Sequence, residues 1–141
     1  MRRKILSAGV VVVRKSEGRF VYLLLRAYQH WDFPKGVVEP GEQPLEGALR
    51  EVREESTITQ LAFNWGYDFI ETGPYGHGKV ARYYLAETRQ KDIELPVNPE
   101  LGHPEHEEFR WLRYEEAKNL VTPRVRTVLE WAQAQLIYSE N

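Results

Sequence analysis

Glu51, Glu54 and Glu55 fall at i, i+3 and i+4 directly behind the glycine-bearing loop Gly36-Val-Val-Glu-Pro-Gly-Glu42. At ~3.6 residues per turn that spacing puts three carboxylates on one helix face, about 120° around from an apolar stripe of Leu45, Ala48, Leu49 and Val52. Like charges grouped this way repel, and a hard divalent cation such as Mg²⁺ or Mn²⁺, which takes oxygen ligands, turns the repulsion into attraction. The alternative is a solvated face on which i,i+4 pairs such as Glu46/Arg50 and Arg50/Glu54 decorate the surface. The loop ahead of the helix favours the first reading, a metal-holding phosphate site. Its chemistry would be hydrolysis of a phosphoanhydride, which needs charge neutralised on non-bridging oxygens, an aligned water and a stabilised leaving phosphate, but no covalent nucleophile.

The elements that must hold these groups are readable from periodicity. Pro44 suits the first turn of a helix carrying the stripe. Ala8 to Val13 and Phe20 to Leu25 read as two strands buried on both faces, joined by a hairpin turn at Lys15-Ser-Glu-Gly-Arg19. Strand-like stretches follow around Leu61 to Thr72 and Lys79 to Glu87, then a polar, proline-bearing loop from Lys91 to Glu107 and a short strand from Phe109 to Leu112. A closing helix begins at Pro123 and carries Val125, Val128, Leu129, Ala132 and Leu136 on one side. Strands mixed with two well-separated helices give an α/β sandwich.

Gly36, Glu42, Arg50, Glu51, Val52, Glu54 and Glu55 together resemble the signature of the Nudix hydrolases: glycine, five residues, glutamate, seven residues, then Arg-Glu, an aliphatic residue, any residue and Glu-Glu. The resemblance implies a Nudix-type α/β/α sandwich with a mixed β-sheet over essentially the whole chain. It implies that the Gly36 carbonyl with Glu51, Glu54 and Glu55 holds metal while Glu42 and Arg50 orient those ligands. It also implies a general base, either Glu54 or an acidic residue on the loop before the last strand, where Glu105 is the choice. One position departs from the family pattern: Thr57 stands where a glycine normally ends the motif, so a differently shaped helix exit is expected.

The stretch Trp31-Asp-Phe-Pro-Lys35-Gly36 is most similar to the Nudix branch that cleaves diadenosine tetraphosphate asymmetrically into ATP and AMP. By that likeness Lys35, Lys79 and one of Tyr83 or Tyr84 contact polyphosphate and base; strand alternation lets only one of the two tyrosines face the site. His30 is a further candidate for the phosphates, with a surface histidine as its alternative reading. Two alternatives stay open: the same chemistry on another substrate, either an RNA 5′ end, the reading in which the partner is a nucleic acid, or another nucleoside diphosphate-linked compound; and a non-catalytic nucleotide-binding regulator of the Nudix fold. Diphosphoinositol polyphosphates would demand a richer basic pocket, to which Arg2, Arg3 and Lys4 could contribute. His103, His106, Glu107 and Glu108 read as surface groups.

The 141 residues fit one domain, 1–141, and a net charge of −2 supplies no general attraction to nucleic acid. Without cysteine there is no disulfide, thiolate metal site or cysteine nucleophile. No apolar run reaches transmembrane length, and the N-terminus lacks the apolar segment of a secretion signal, so a cytoplasmic protein is expected. Oligomeric state is not legible.

Overall fold

The structure is a computed structural model and describes residues 5–139. Arg2, Arg3 and Lys4 lie outside the described residues. The elements run β1 (Ile5–Ser16), β2 (Arg19–Ala27), β3 (His30–Asp32), β4 (Lys35–Val37), α1 (Pro44–Ser56), β5 (Phe69–Tyr75), β6 (Lys79–Glu87), β7 (Val97–Asn98), β8 (His103–Pro104), β9 (Glu108–Leu112), α2 (Tyr114–Leu120) and α3 (Pro123–Ser139).

Seven strands form one mixed sheet along the path β3-β2-β1-β6-β5, with β4 on β1 and β9 on β2. β1 and β6 are parallel and the other pairs antiparallel. Both faces are covered. Val10, Val12, Leu23, Leu25, Tyr84 and Ala86 pack toward α1, while Val11, Val13, Leu24, Tyr83 and Leu85 pack toward α2 and α3. Val10 to Val13 are fully buried, which accounts for an unbroken valine run where a one-sided strand would alternate. The expected sandwich is therefore present.

The local geometry that builds the site comes from a splay between β1 and β2. They pair only from Val13/Tyr22 to Ser16/Arg19, through a two-residue turn, Glu17-Gly18, in which both φ angles are positive. Beyond that point β3 pairs with β2 and β4 with β1, so the segment from His30 to Val37 wedges between the diverging strands. Gly9, opposite Lys35 in the register, makes room: a Cβ there would lie 2.2 Å from the Pro34 carbonyl oxygen. The wedge delivers Lys35 and Gly36 to the flank of α1.

Several sequence expectations need correction. Leu61 to Asp68 is not strand; apart from a single bridge between Ala62 and Glu87 it is irregular, and β5 begins only at Phe69. The loop from Lys91 to Glu107 contains the small hairpin β7–β8. α2 is a third helix that periodicity could not reveal, because its seven residues bury only Ala117.

The exit of α1 keeps the left-handed turn despite the missing glycine. Thr57 adopts φ 64°, its N–H donating to the Arg53 carbonyl. A β-branched residue there costs ~1–2 kcal/mol, and part of that is recovered because the Thr57 hydroxyl accepts the Glu94 N–H and the Thr57 carbonyl accepts from Gln90. Thr57→Gly relieves the strain but loses the hydroxyl contact and adds unfolded-state freedom, so urea denaturation is expected to show a change within about 0.5 kcal/mol. Thr57→Val keeps the strain and loses the hydroxyl, and is expected to cost about 1–2 kcal/mol. Equal stability of the two variants would show that the turn is unstrained.

Candidate active site

α1 carries its carboxylates from the core outward. At about 100° per residue, Glu55 lies ~20° from Ala48, Glu51 ~60° and Glu54 ~120° in the same direction. Exposure follows that order: Glu55 is 7% exposed, the Glu51 side chain 14% and the Glu54 side chain 54%. The expectation of one face set apart from the apolar stripe is thus corrected, since Glu55 belongs to the buried side of the helix. Its Oε1 accepts the Lys35 backbone N–H at 3.0 Å, and among the described residues no lysine or arginine forms an ion pair with it. Gly36 is fitted to Glu51: a Cβ at Gly36 would stand 2.1 Å from the Glu51 carboxyl carbon.

Arg50 binds the outer carboxylates together. Its Nε and Nη2 donate to the two oxygens of Glu42 at 2.8 and 3.0 Å, Nη1 to Glu51 at 2.8 Å and Glu54 at 3.1 Å, and Nη2 to the Val37 carbonyl at 3.0 Å. The guanidinium holds the Glu42 carboxyl down to about 2, with the Glu39 N–H adding a second donor.

Glu105, on the loop between β8 and β9, faces this cluster. One ligand atom from each of Glu55, Glu105 and His106 lies within 4.8 Å of the others. Burial, then the Glu105 and Glu51 charges, push the Glu55 carboxyl well above the ordinary 4.5. Burial also raises Glu51, against the opposing pull of Arg50. A half-buried set of carboxylates with mutual repulsion and a single backbone donor on its innermost member fits a hard divalent cation, whereas by itself it is costly. His106, expected on the surface, is turned into the site, where burial lowers its basicity. Its neighbour Glu105 was the available signal.

Two cavities meet at Glu51, Glu55 and Glu105. One, of about 500 Å³, is flanked by Lys35, Gly36, Lys79 and Tyr75; the other, of about 410 Å³, lies under the β7–β8 hairpin. Lys35 and Lys79 are thus brought together. Tyr83 and Tyr84 are not: Tyr83 is fully buried against Phe33 on the α3 face, and Tyr84 is 5% exposed against Phe69 on the α1 face. Alternation places them on opposite faces as expected, but helices cover both faces, so neither ring is open to a base. His30 is exposed at the start of β3 and lines neither cavity. The aromatic in the cavity is Tyr75, missed by sequence reasoning although Gly73-Pro-Tyr-Gly76 marks an aromatic in a turn.

Tyr75 and Lys35 are steadied from behind. The Arg124 guanidinium lies 4.2 Å from the Tyr75 ring centroid and donates to Thr72 Oγ1, to the Tyr83 hydroxyl and to Asp32 Oδ2 at 2.9 Å. Asp32 Oδ2 in turn stands 3.8 Å from Lys35 Nζ.

A family model for the NUDIX domain matches residues 3–132. The chain belongs to the Nudix family. An asymmetrical bis(5′-nucleosyl)-tetraphosphatase of Caenorhabditis elegans is 37% identical over 117 residues, covering 79% of this chain and 80% of that protein. The Mus musculus protein of the same description is 39% identical over 126 residues, covering 81% and 82%. The crystal structure of a C. elegans Ap4A hydrolase binary complex matches with a TM-score of 0.78 at 28% identity, covering 95% of this chain and 98% of that one. The mixed sheet between helices is accordingly the Nudix fold, and the chain is a Nudix hydrolase homologous to Ap4A hydrolases. Nudix hydrolases use divalent metal cations. No described helix is long and apolar enough to cross a membrane.

The charge arrangement of this Nudix site sets a pH dependence for the metal-free protein. Glu55 and Glu51 hold protons in the folded state that the unfolded chain releases near 4.5, so their stabilising contribution is lost as pH rises through their raised values. His106 acts oppositely, its depressed basicity reducing stability only below about 6.5. As pH rises through the raised values of Glu55 and Glu51, calorimetry of chelator-treated protein is expected to show a carboxylate contribution that lowers the melting temperature, and saturating Mg²⁺ is expected to abolish that fall. A metal-free Glu55→Gln variant whose melting temperature followed pH just as wild type does would contradict the assignment.

Proposed function

We propose that residues 1–141 act as one Nudix domain that hydrolyses diadenosine tetraphosphate asymmetrically to ATP and AMP with Mg²⁺, Mn²⁺ serving as a substitute. The observation that carries the reading is Glu55, a buried carboxylate without an ion-pair partner among the described residues, flanked by Glu51 and Glu105 at the mouth of a cavity carrying two lysines and a tyrosine. The Gly36 carbonyl, Glu51, Glu54 and Glu55 would hold the cation, with Glu105 facing them across the site. When bound, it supplies charge neutralisation on the phosphate oxygens and lowers the pKa of the attacking water.

The chain's own groups do the rest. Lys35 and Lys79 bind the polyphosphate as point charges, and Tyr75, braced by Arg124, offers a ring face to adenine, a contact of about 1–3 kcal/mol. Arg50 and Glu42 fix the carboxylates in place. Of the two candidate bases, Glu54 is engaged by Arg50 while Glu105 forms no ion pair among the described residues and borders both cavities. The proton-accepting role therefore falls to Glu105. Cytoplasmic residence belongs to the same proposal, supported by a chain without cysteine.

The test is chromatography of products from diadenosine tetraphosphate and Mg²⁺. Equimolar ATP and AMP is the expected result. Two ADP would mean a different cleavage position, and intact substrate would overturn the substrate assignment.

A further inference from the structure

The cavity under the β7–β8 hairpin differs in chemistry from its neighbour. Leu95, Pro96, Val97, Pro99 and Pro104 form its apolar wall, Asn98 and His106 supply polar groups, and among the described residues no lysine or arginine lines it. At about 410 Å³ it is within the range of roughly 300–1,000 Å³ typical of small-molecule sites. It is open to the carboxylates, since Glu51, Glu54, Glu55 and Glu105 form the rest of its wall.

The geometry points to this cavity as the subsite for the nucleoside of the departing AMP. The inference rests on the asymmetric hydrolysis proposed above. Cleavage of a dinucleoside tetraphosphate into ATP and AMP leaves three phosphates and a nucleoside on one side of the broken bond, and one phosphate and a nucleoside on the other. The triphosphate arm needs cations, and Lys35 and Lys79 are both in the neighbouring cavity with Tyr75. The short arm has its nucleoside one phosphate from the reacting atom, so that nucleoside must lie beside Glu51, Glu55 and Glu105 and on the side away from the lysines. The hairpin cavity meets both conditions. A surface of prolines and aliphatic side chains without cations suits an uncharged base and ribose, and is a poor place for a second polyphosphate. The asymmetry of the products then has a structural origin: the two arms are sorted by a cavity that carries two lysines beside the carboxylates and one whose outer wall is apolar and carries no cation among the described residues.

The test is a binding measurement in Mg²⁺ buffer, separate from turnover. A diadenosine tetraphosphate analogue with methylene in place of the bridging oxygens is compared with adenosine 5′-tetraphosphate, which carries the same phosphates but lacks the second nucleoside. Wild-type protein is expected to bind the analogue about tenfold more tightly, as one additional apolar subsite allows. Val97, 61% exposed, can be replaced without disturbing the core. Val97→Gln changes no charge, and is expected to shrink the preference to about twofold while leaving adenosine tetraphosphate affinity unchanged. In methyl-labelled protein, Leu95 and Val97 resonances should shift with the analogue and stay in place with adenosine tetraphosphate. Equal affinity for the two ligands, or unmoved Leu95 and Val97 methyls, overturns the subsite. Either outcome is compatible with ATP and AMP as products, whereas failure to cleave diadenosine tetraphosphate at all would remove the substrate assignment itself.

Discussion

Glu55→Gln is expected to lower kcat/KM on diadenosine tetraphosphate by roughly 10²–10³-fold, equivalent to ~2.7–4 kcal/mol of transition-state stabilisation. A neutral amide is a poorer ligand for a hard cation, and Glu55 is the innermost carboxylate of the cluster. The fold should survive, because the amide oxygen can still accept the Lys35 N–H that the Glu55 Oε1 accepts at 3.0 Å. Stability should respond in the direction opposite to activity. The substitution deletes a carboxylate that burial and the Glu105 and Glu51 charges disfavour in its ionised form, so metal-free E55Q is expected to melt above metal-free wild type near neutral pH, and added Mg²⁺ should raise its melting temperature far less. Steady-state kinetics and calorimetry on the same preparation separate this from a folding defect. Wild-type turnover in E55Q would sink the metal assignment; lost activity with lowered metal-free stability would mean that Glu55 is a structural carboxylate.

The position of Glu55 also shows how far the sequence carries. The spacing of Glu51, Glu54 and Glu55 made them a group, and the helix, the loop before it and the two long strands are all written in local periodicity and in Pro44 and Pro123. That Glu55 turns inward while Glu54 is half in solvent was also present in the helical wheel, once the buried stripe is taken to pass through Ala48 and Val52 without Leu49. The wedge of β3 and β4 was not legible. Two strands of three residues each carry no period of their own, and they exist because β1 and β2 diverge after Tyr22, a property of the whole sheet. The same nonlocal cause removed Tyr83 and Tyr84 from the site. β6 is interior to a sheet covered by α1 on one face and by α3 on the other, so alternation could assign each tyrosine to a face but could not show that both faces were already occupied. Tyr75, at the end of β5, stays in the cavity because the sheet stops there.

Arg50→Lys is expected to be nearly as damaging as a ligand substitution, although it keeps the charge. A guanidinium carries five N–H groups, and those of Arg50 reach five acceptors: both oxygens of Glu42, one oxygen each of Glu51 and Glu54, and the Val37 carbonyl. Lysine offers three donors from a single point and cannot grip Glu42 bidentately while reaching Glu51. Activity should fall about 10–100-fold, as for loss of a group that orients metal ligands, and stability by about 1–3 kcal/mol. The pH dependence of that stability loss identifies its source. Arg50 holds the Glu42 carboxyl down to about 2, so the pair's contribution is present above the ordinary 4.5 and is lost as pH falls from there toward 2. The gap in unfolding free energy between wild type and R50K should therefore be widest above about 4.5 and narrow as the solution is acidified. A gap that stayed constant with pH would place the loss in side-chain packing and remove Glu42 from the explanation. Combining R50K with Glu42→Gln supplies the complementary result: if the two residues act as one unit, the double variant should lose less than the sum of the single losses, by about 1 kcal/mol or more.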